Sequence, residues 1–445
     1  MVVLLTFCIL LPIIILILLI LRFKYQKKRT IAFFHPNCSA GGGGEMVLWV
    51  IIKVLLQSFP NYSIVIFTAD TSPKDKILEK VKSTFGFDFL DCNIKFYQIK
   101  HSYSLVIKKY PFLTLFFQAI GSMICCFDAL IKCNAEYFFD TTGCAFTYPF
   151  AWLAGAKIMT YTHYPTISTD MLNVVQKREV SINNTNTIAR SSILSTMKVF
   201  YYKIFAYLYY LVGNLASLVF VNGTWTKNHI SQLWKIQPHL LYPPCDINVS
   251  NLNEKNSSCH LIISIGQFRP EKRHLVQIEA INILVQEHPE IKNKIKFVVI
   301  GGARDAEDLK RKEEVIKTIE KDKLTDIITV PESTSYEQKI EYLKNAEIGL
   351  HTMVNEHFGI CVVEYMGFGV IPVAHKSAGP ELDIVDDQCG YLATTPKEYA
   401  DAIFKIINDP EKTAQMRQAA IQKAKKFSVS AFEKQCEKEL LEFLK

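Results

Sequence analysis

No Asp-x-Asp triplet occurs in the 445 residues, so the usual carboxylates for holding a divalent metal against a diphosphate are missing and no metal is expected. The twelve cysteines form no Cys-x-x-Cys pair and no Cys/His spacing of the zinc type. That excludes a thiol-ligated structural metal and argues for a reducing compartment over a disulfide framework. Charge is absent from the first 21 residues. A cleaved signal peptide carries positive charge before its apolar core and a small-residue cleavage site after it. Here the first charge is Arg22 and no such site comes after it. Val2 to Leu21 is therefore expected to be an anchor, long enough at about 20 residues to cross roughly 30 Å of hydrocarbon, with Pro12 as a kink. Excess charge is also scarce. Five of the net +7 sit at Arg22, Lys24, Lys27, Lys28 and Arg29, leaving +2 for all other residues, which gives nucleic-acid binding no support. The same five charges place that flank, and the chain beyond it, in the cytosol.

The remaining sequence reads as two wound halves, since 445 residues exceed one ordinary core. Thr30 to Phe34 reads as a first strand, Gly41 to Gly44 as its turn, Met46 to Gln57 as a helix and Ser63 to Thr68 as the next strand. Apolar runs at 137–140, 157–162 and 218–222 continue the pattern. Pro243 and Pro244 stop both helix and ladder and mark a hinge. Strands at 261–266, 296–300, 327–330 and 348–351, with helical patterns between them, specify a second wound half. The expected division is 1–29 anchor and basic flank, 30–241 first domain, 242–258 linker, 259–426 second domain and 427–445 a terminal helix with one apolar stripe. Segments 110–126 and 199–221 are also strongly apolar. They are read as buried helices or as interfacial ones lying on the membrane near a lipid acceptor, in preference to true spans, since Tyr and Lys suit an interface.

Chemistry concentrates where strands end. Glu356 and Glu364 are separated by seven residues, across a loop at 352–359 and a helix at 360–367 that come after the strand Ile348 to His351. Backbone N–H groups at such a helix start can face an anion, with the carboxylates beside it. Val370 to Ala374 reads as the next buried strand, and Pro380 as the first position of a further helix. The four glycines let a main chain approach a phosphate or form a flexible loop; Glu45 beside them caps the helix or contacts an acceptor. His163 ends the strand 157–162, a place for a structural histidine or a sugar contact. After the strand 261–266 come Arg269, Lys272 and Arg273. That basic turn is either solvated or stabilises a departing nucleoside diphosphate. Sequons at Asn37, Asn61, Asn183, Asn222, Asn248 and Asn256 take glycan only on a lumenal side, and a glycan at Asn37 would block the glycine-rich loop.

The Glu-x7-Glu segment resembles that of retaining GT-B glycosyltransferases. More narrowly, His35 to Glu45, Tyr161 to Met171 and Glu356 to Val385 together resemble the eukaryotic α-1,2-mannosyltransferases of the dolichol-linked oligosaccharide pathway. The resemblance covers nearly everything after the first thirty residues. It implies an α/β GT-B fold, with two doubly wound Rossmann-like domains behind an N-terminal transmembrane helix and a terminal helix returning to the first domain. It further implies retaining transfer of mannose from GDP-mannose onto trimannosyl-chitobiosyl diphosphodolichol in α-1,2 linkage, for asparagine-linked glycosylation. The setting it implies is the cytosolic face of the endoplasmic reticulum membrane, single-pass, beside other mannosyltransferases of the pathway and without a cofactor.

Carried onto this chain, the family's roles make Glu356 a contact to the donor hexose and Glu364 a contact to its ribose. Phe358 and Gly359 offer amides, and Gly42 and Gly43 lie against the donor; His163 touches the transferred sugar and Glu45 the acceptor. Lys272 and Arg269 grip the diphosphate, Arg269 replacing an arginine that related enzymes carry where Gln267 stands. His163, Arg269, Lys272 and Glu356 form the catalytic set. Two rival readings are a transferase of the same fold using another sugar nucleotide or lipid acceptor, and a silent membrane-tethered subunit. The latter has no need to keep Lys272, Glu356 and Glu364.

Overall fold

The computed structural model describes residues 2–105, 110, 112–168, 171, 175–177, 191–247 and 259–444. Lys108, Lys109, Thr169, Asp170, the sequons at Asn183, Asn248 and Asn256, and linker positions 248–258 lie outside the described residues. Residues 1–222, 226–242 and 433–445 form one unit, and residues 223–225 and 243–432 form the other.

The first unit runs α1 (Val2–Lys24), β1 (Lys27–Phe34), α2 (Gly43–Ser58), β2 (Ser63–Thr68), α3 (Lys74–Phe85), β3 (Ile94–Gln98), α4 (Thr114–Lys132), β4 (Ala135–Asp140), α5 (Tyr148–Leu153), β5 (Lys157–Thr162), α6 (Ser192–Gly213), β6 (Ala216–Val221), α7 (Thr224–Trp234) and β7 (His239–Leu240). The strands pair in parallel in the order β3-β2-β1-β4-β5-β6-β7. Helices cover both faces of such a sheet, so its strands read as continuous apolar runs; Ile31 to Phe34 and Ile64 to Phe67 are all buried. Strand order reverses between β1 and β4, which opens a crevice at their C-terminal ends. Trp49 of α2, fully buried, donates its Nε1–H to the Cys38 carbonyl at 2.9 Å and so pins the loop leaving β1.

The basic flank does more than carry charge. Lys27, Lys28 and Arg29 open β1, three residues earlier than the expected strand start. The Arg29 amide donates to Glu136 at 2.7 Å, and Lys28 lies 3.7 Å from the same carboxylate. The end of α1 is docked: Leu18 is buried in the first unit's core, and the Leu21 carbonyl accepts from Asn134 Nδ2 at 2.9 Å.

Segment 199–221 is not one helix. α6 stops at Gly213, Asn214 caps it, and 216–221 form the sheet strand β6. α4 is long and apolar enough by length and composition to cross a membrane. Yet Cys125, Cys126, Ala129 and Leu130 on one of its faces are buried in the core, while Phe116, Ile120 and Ile124 are exposed on another. α6 likewise exposes Met197, Phe200 and Ile204 and buries Tyr202, Phe205 and Tyr209. Both helices are thus half-core, half-exposed apolar surfaces.

The second unit runs β8 (His260–Ile265), α8 (His274–Glu287), β9 (Ile295–Ile300), α9 (Ala306–Lys321), β10 (Ile328–Thr329), α10 (Tyr336–Asn345), β11 (Ile348–His351), α11 (Ile360–Gly367), β12 (Ile371–His375), β13 (Tyr391–Ala393), α12 (Pro396–Asn408) and α13 (Pro410–Ala424). Its six parallel strands are ordered β10-β9-β8-β11-β12-β13, reversing between β8 and β11. The terminal helix α14 (Val429–Leu444) carries Glu433 and Glu437, which take Lys53 Nζ and Ser58 Oγ at 2.6 Å each.

Candidate active site

The reversal between β8 and β11 is visibly opened. Their ladder ends at Gly349 opposite Ile263, and the Tyr365 hydroxyl takes over from it, accepting from the Ile265 amide at 2.8 Å and donating to the Leu350 carbonyl at 3.4 Å. Gly349 permits this, because a Cβ there would meet the Tyr365 ring at 2.4 Å. Beyond the strand ends stand Lys272 and Glu356. Lys272 Nζ donates to Glu356 Oε2 at 2.7 Å, and His351 Nε2, at the last residue of β11, meets the same oxygen at 3.2 Å. His351 is buried, and the Lys272 and Glu356 side chains are 22% and 16% exposed. Two cationic groups thus converge on one carboxylate.

Burial alone would favour the neutral form of each group, but the cluster reverses it. Burial works against the His351 proton, while Cys361 and Glu356 hold it in place, raising the imidazole to about 9. Burial similarly disfavours the Lys272 ammonium, yet Cys361 and Glu356 keep its pKa above the usual lysine value. The Glu356 carboxyl, which burial would push up, is held far below the ordinary range by hydrogen bonds and charge from His351 and Lys272. At neutral pH the three groups are Lys⁺, His⁺ and Glu⁻, two cations on one carboxylate.

The loops around it are mutually fastened. Thr352 Oγ1 donates to the Lys272 carbonyl at 2.7 Å, and Tyr399 Oη donates to the His351 carbonyl at 3.0 Å. The Gly379 amide donates to the Glu356 carbonyl at 2.9 Å. A Cβ at Gly379 would lie 2.3 Å from the Phe358 carbonyl oxygen, so only glycine allows this approach. Gly359 has φ +108° and caps α11 in the left-handed region. Phe358 is buried against Phe427, ring centroids 5.4 Å apart.

Not every expected residue joins the cluster. Arg269 is partly exposed, lies 3.7 Å from Glu271, and borders a cavity of about 330 Å³ together with Arg273 and Arg311. Glu364 stands further along α11 and pairs with Lys339 of α10 at 3.0 Å. His351 and Lys339 were not singled out from sequence. A polar residue closing an otherwise apolar strand was the available signal for His351; Lys339 carried none.

In the first unit the glycine run divides by role. Gly41, φ +82°, is the member that needs a glycine backbone; Gly42 is extended and caps α2, and Gly43 and Gly44 are its first helical residues. The helix starts three residues earlier than expected because Glu45 reaches back to the helix start, accepting from the Gly42 amide at 2.7 Å. Its other oxygen lies 3.3 Å from His35 Nε2, and His35 Nδ1 lies 2.7 Å from Thr141 Oγ1. Burial would raise the Glu45 pKa, but the His35 hydrogen bond and charge outweigh it, so this carboxylate stays ionised. Glu45 thereby links the ends of β1 and β4. A Cβ at Gly44 would stand 3.6 Å from His163 Nε2, so His163 faces the start of α2.

Residues 28–234 match the family described as ALG11 mannosyltransferase N-terminus, and residues 248–423 match Glycosyl transferases group 1. Proteins named GDP-Man:Man(3)GlcNAc(2)-PP-Dol alpha-1,2-mannosyltransferase from Dictyostelium discoideum and Homo sapiens are 39% and 38% identical to this chain. Their alignments cover 93% and 92% of it and 86% of each relative. Among solved structures, sucrose-phosphate synthase from Thermosynechococcus elongatus is similar with a TM-score of 0.65 at 14% identity, covering 93% of this chain and 99% of that one. Anabaena HepE in complex with UDP and glucose gives 0.60 at 15%, covering 92% and 98%. The structural likenesses carry the fold alone, two parallel-sheet units of the GT-B class. The identity over most of both chains carries more: this chain belongs to the family of GDP-Man:Man(3)GlcNAc(2)-PP-Dol alpha-1,2-mannosyltransferases.

Proposed function

We propose that the protein transfers mannose from GDP-mannose to trimannosyl-chitobiosyl diphosphodolichol, forming an α-1,2 linkage with retention. The observation that carries this reading is the partly buried Lys272–Glu356–His351 cluster at the switch point of the second sheet. A silent subunit has no use for three ionised groups in a partly buried cluster, whereas a departing GDP needs positive charge near its β-phosphate. Lys272 and His351 supply that charge, and Glu356 orients Lys272 and meets the donor hexose. As the anomeric C–O bond to GDP breaks, the acceptor hydroxyl attacks from the same face through an oxocarbenium-like state, and its proton passes to the departing phosphate oxygen. Purified protein given the lipid-linked trimannosyl acceptor and a panel of nucleotide sugars is expected to use GDP-mannose; transfer from another nucleotide sugar instead would overturn the donor assignment.

Glu364 is read as the ribose contact, with Lys339 holding its carboxylate. Glu364→Ala removes a charge-assisted hydrogen bond worth about 1.5–3 kcal/mol, so donor KM is expected to rise about ten- to a hundredfold. Steady-state kinetics with GDP-mannose check this; an unchanged donor KM assigns Glu364 to the Lys339 ion pair alone.

In this reading the protein acts at the endoplasmic reticulum membrane, single-pass, with its catalytic units in the cytosol, and the charges from Arg22 to Arg29 support that sidedness. Protease added outside sealed microsomes is expected to digest the units, and exposed Asn61 to stay unmodified. Protection together with a glycan on Asn61 would reverse the topology. Asn222 cannot report, because it is buried in the fold.

A further inference from the structure

A cavity of about 240 Å³ lies at the C-terminal edge of the first unit's sheet, walled by Gln118 and Ala119 of α4, Thr142 after β4, His163 and Thr166 after β5, and Phe205 of α6. Its walls are pinned from several directions. Buried Asp140 accepts from the Thr142 amide at 2.9 Å and hydroxyl at 3.0 Å. Thr166 Oγ1 donates to the Gly143 carbonyl at 3.3 Å, and the Thr166 amide donates to the Tyr209 hydroxyl at 3.4 Å. Gln118 Nε2 donates to the Leu105 carbonyl at 3.1 Å, which fixes its carboxamide on the rim.

The lining mixes apolar carbon, from Ala119 and Phe205, with hydroxyl and amide groups, from Thr142, Thr166 and Gln118. A sugar ring needs that mixture, with carbon for its flat faces and hydrogen-bonding groups for its edge. The donors of Thr142, Thr166 and Gln118 are taken up within the walls, so what they offer a ligand is acceptor oxygen, which matches sugar hydroxyls and which a hydrocarbon chain would leave unmatched. The volume lies below the roughly 300–1,000 Å³ of cavities for drug-sized ligands, which suits one sugar residue and not a whole oligosaccharide. One wall is His163, assigned above to the transferred sugar. The helices forming other walls expose Phe116, Ile120, Phe200 and Ile204, apolar surface for the lipid end of an amphipathic acceptor.

We propose that this cavity holds the terminal sugar residue of the lipid-linked acceptor, the residue whose hydroxyl receives the mannose. The inference rests on the transferase function proposed above. The first arm tests that function: absence of any transfer by the wild-type protein would overturn it, and the cavity assignment with it. Given transfer, Ala119→Leu, which fills the cavity, and Gln118→Ala, which removes a rim group, are each compared with wild type. Both are expected to raise the acceptor KM, and the Ki of the lipid-free trimannosyl glycan as inhibitor, tenfold or more, with donor KM within twofold. Should Ala119→Leu fail to fold in a thermal melt, Gln118→Ala decides. Acceptor KM within twofold of wild type, or donor KM rising equally, overturns the assignment while the function stands. So does a raised acceptor KM with unchanged Ki for the lipid-free glycan, which would give the cavity to the lipid.

Discussion

Lys272→Ala is expected to lower kcat by about a hundred- to a thousandfold, the usual loss when one preorganised group facing developing negative charge is removed. Its Nζ is fixed at 2.7 Å from Glu356, largely out of water, and its pKa is raised, so the ammonium is present throughout the working pH range. Such a group strengthens its interaction as the bond to GDP breaks, so kcat should fall more than donor KM rises. Truncation also leaves Glu356 with His351 as its remaining cationic partner, and breaking a buried pair costs about 3–5 kcal/mol. Folding and chemistry therefore have to be separated. Lys272→Met keeps most of the side-chain volume and leaves the Glu356–His351 pair in place, so it should recover much of the melting temperature lost in Lys272→Ala, without recovering turnover. Arg269→Ala should act in the same sense but less, because Arg269 is partly exposed and stands beside Glu271. Unchanged kcat in Lys272→Ala, with GDP-mannose saturating, would remove lysine from the leaving-group role.

The sequence and the structure agree most closely where local punctuation is strong. β11 and α11 fall on 348–351 and 360–367 as read, since Gly359 and Gly367 bracket a short apolar helix and a four-residue apolar strand precedes it. β2 and β5 likewise begin and end as read. β3, β7 and β13 escaped because their signal is weak. Ile94–Gln98 includes Lys95 in an edge strand, His239–Leu240 has two residues and Tyr391–Ala393 three. Segment 199–221 misled by composition: mean apolarity does not register the break at Gly213 and Asn214, where helix gives way to strand. The site was legible as far as strand ends go, because ligand groups in open α/β sheets gather there. Its pairings were not. Lys272 meets Glu356 across 84 positions, Lys339 meets Glu364 across 25, and His351 looked like the polar end of a strand until the fold bent the next loop back over it.

That last residue yields the prediction with the clearest sign. His351 has its pKa raised from 6.5 to about 9 in the folded protein. A raised folded value means that its contribution to stability is complete below pH 6.5 and is lost as pH rises toward and through 9. The shift corresponds to about 3 kcal/mol. Glu356, the partner, is depressed in the folded state, so its share is present above its ordinary value of 4.5 and is lost only as pH falls below that. The two shifts share the Glu356–His351 interaction, with Cys361 the larger influence raising His351 and Lys272 also lowering Glu356, and the shared stabilisation should be complete between about 4.5 and 6.5. Lys272, Cys361 and His375 also influence the imidazole or its carboxylate partner, but Lys272 keeps its proton over this range, and burial and nearby Arg273 hold His375 below the ordinary histidine value. His351→Gln retains a polar side chain and removes the titration. Melting temperatures of the full chain in detergent, compared from pH 6 to pH 9.5, should show the largest wild-type advantage at pH 6, shrinking steadily toward pH 9. In the same window the wild-type kcat should decline with loss of the imidazolium, and the variant should have a low kcat that is flat with pH. A stability difference between the two proteins that does not change with pH would show that folding leaves the His351 pKa unraised, and would remove the imidazolium as a partner of Glu356 above pH 7.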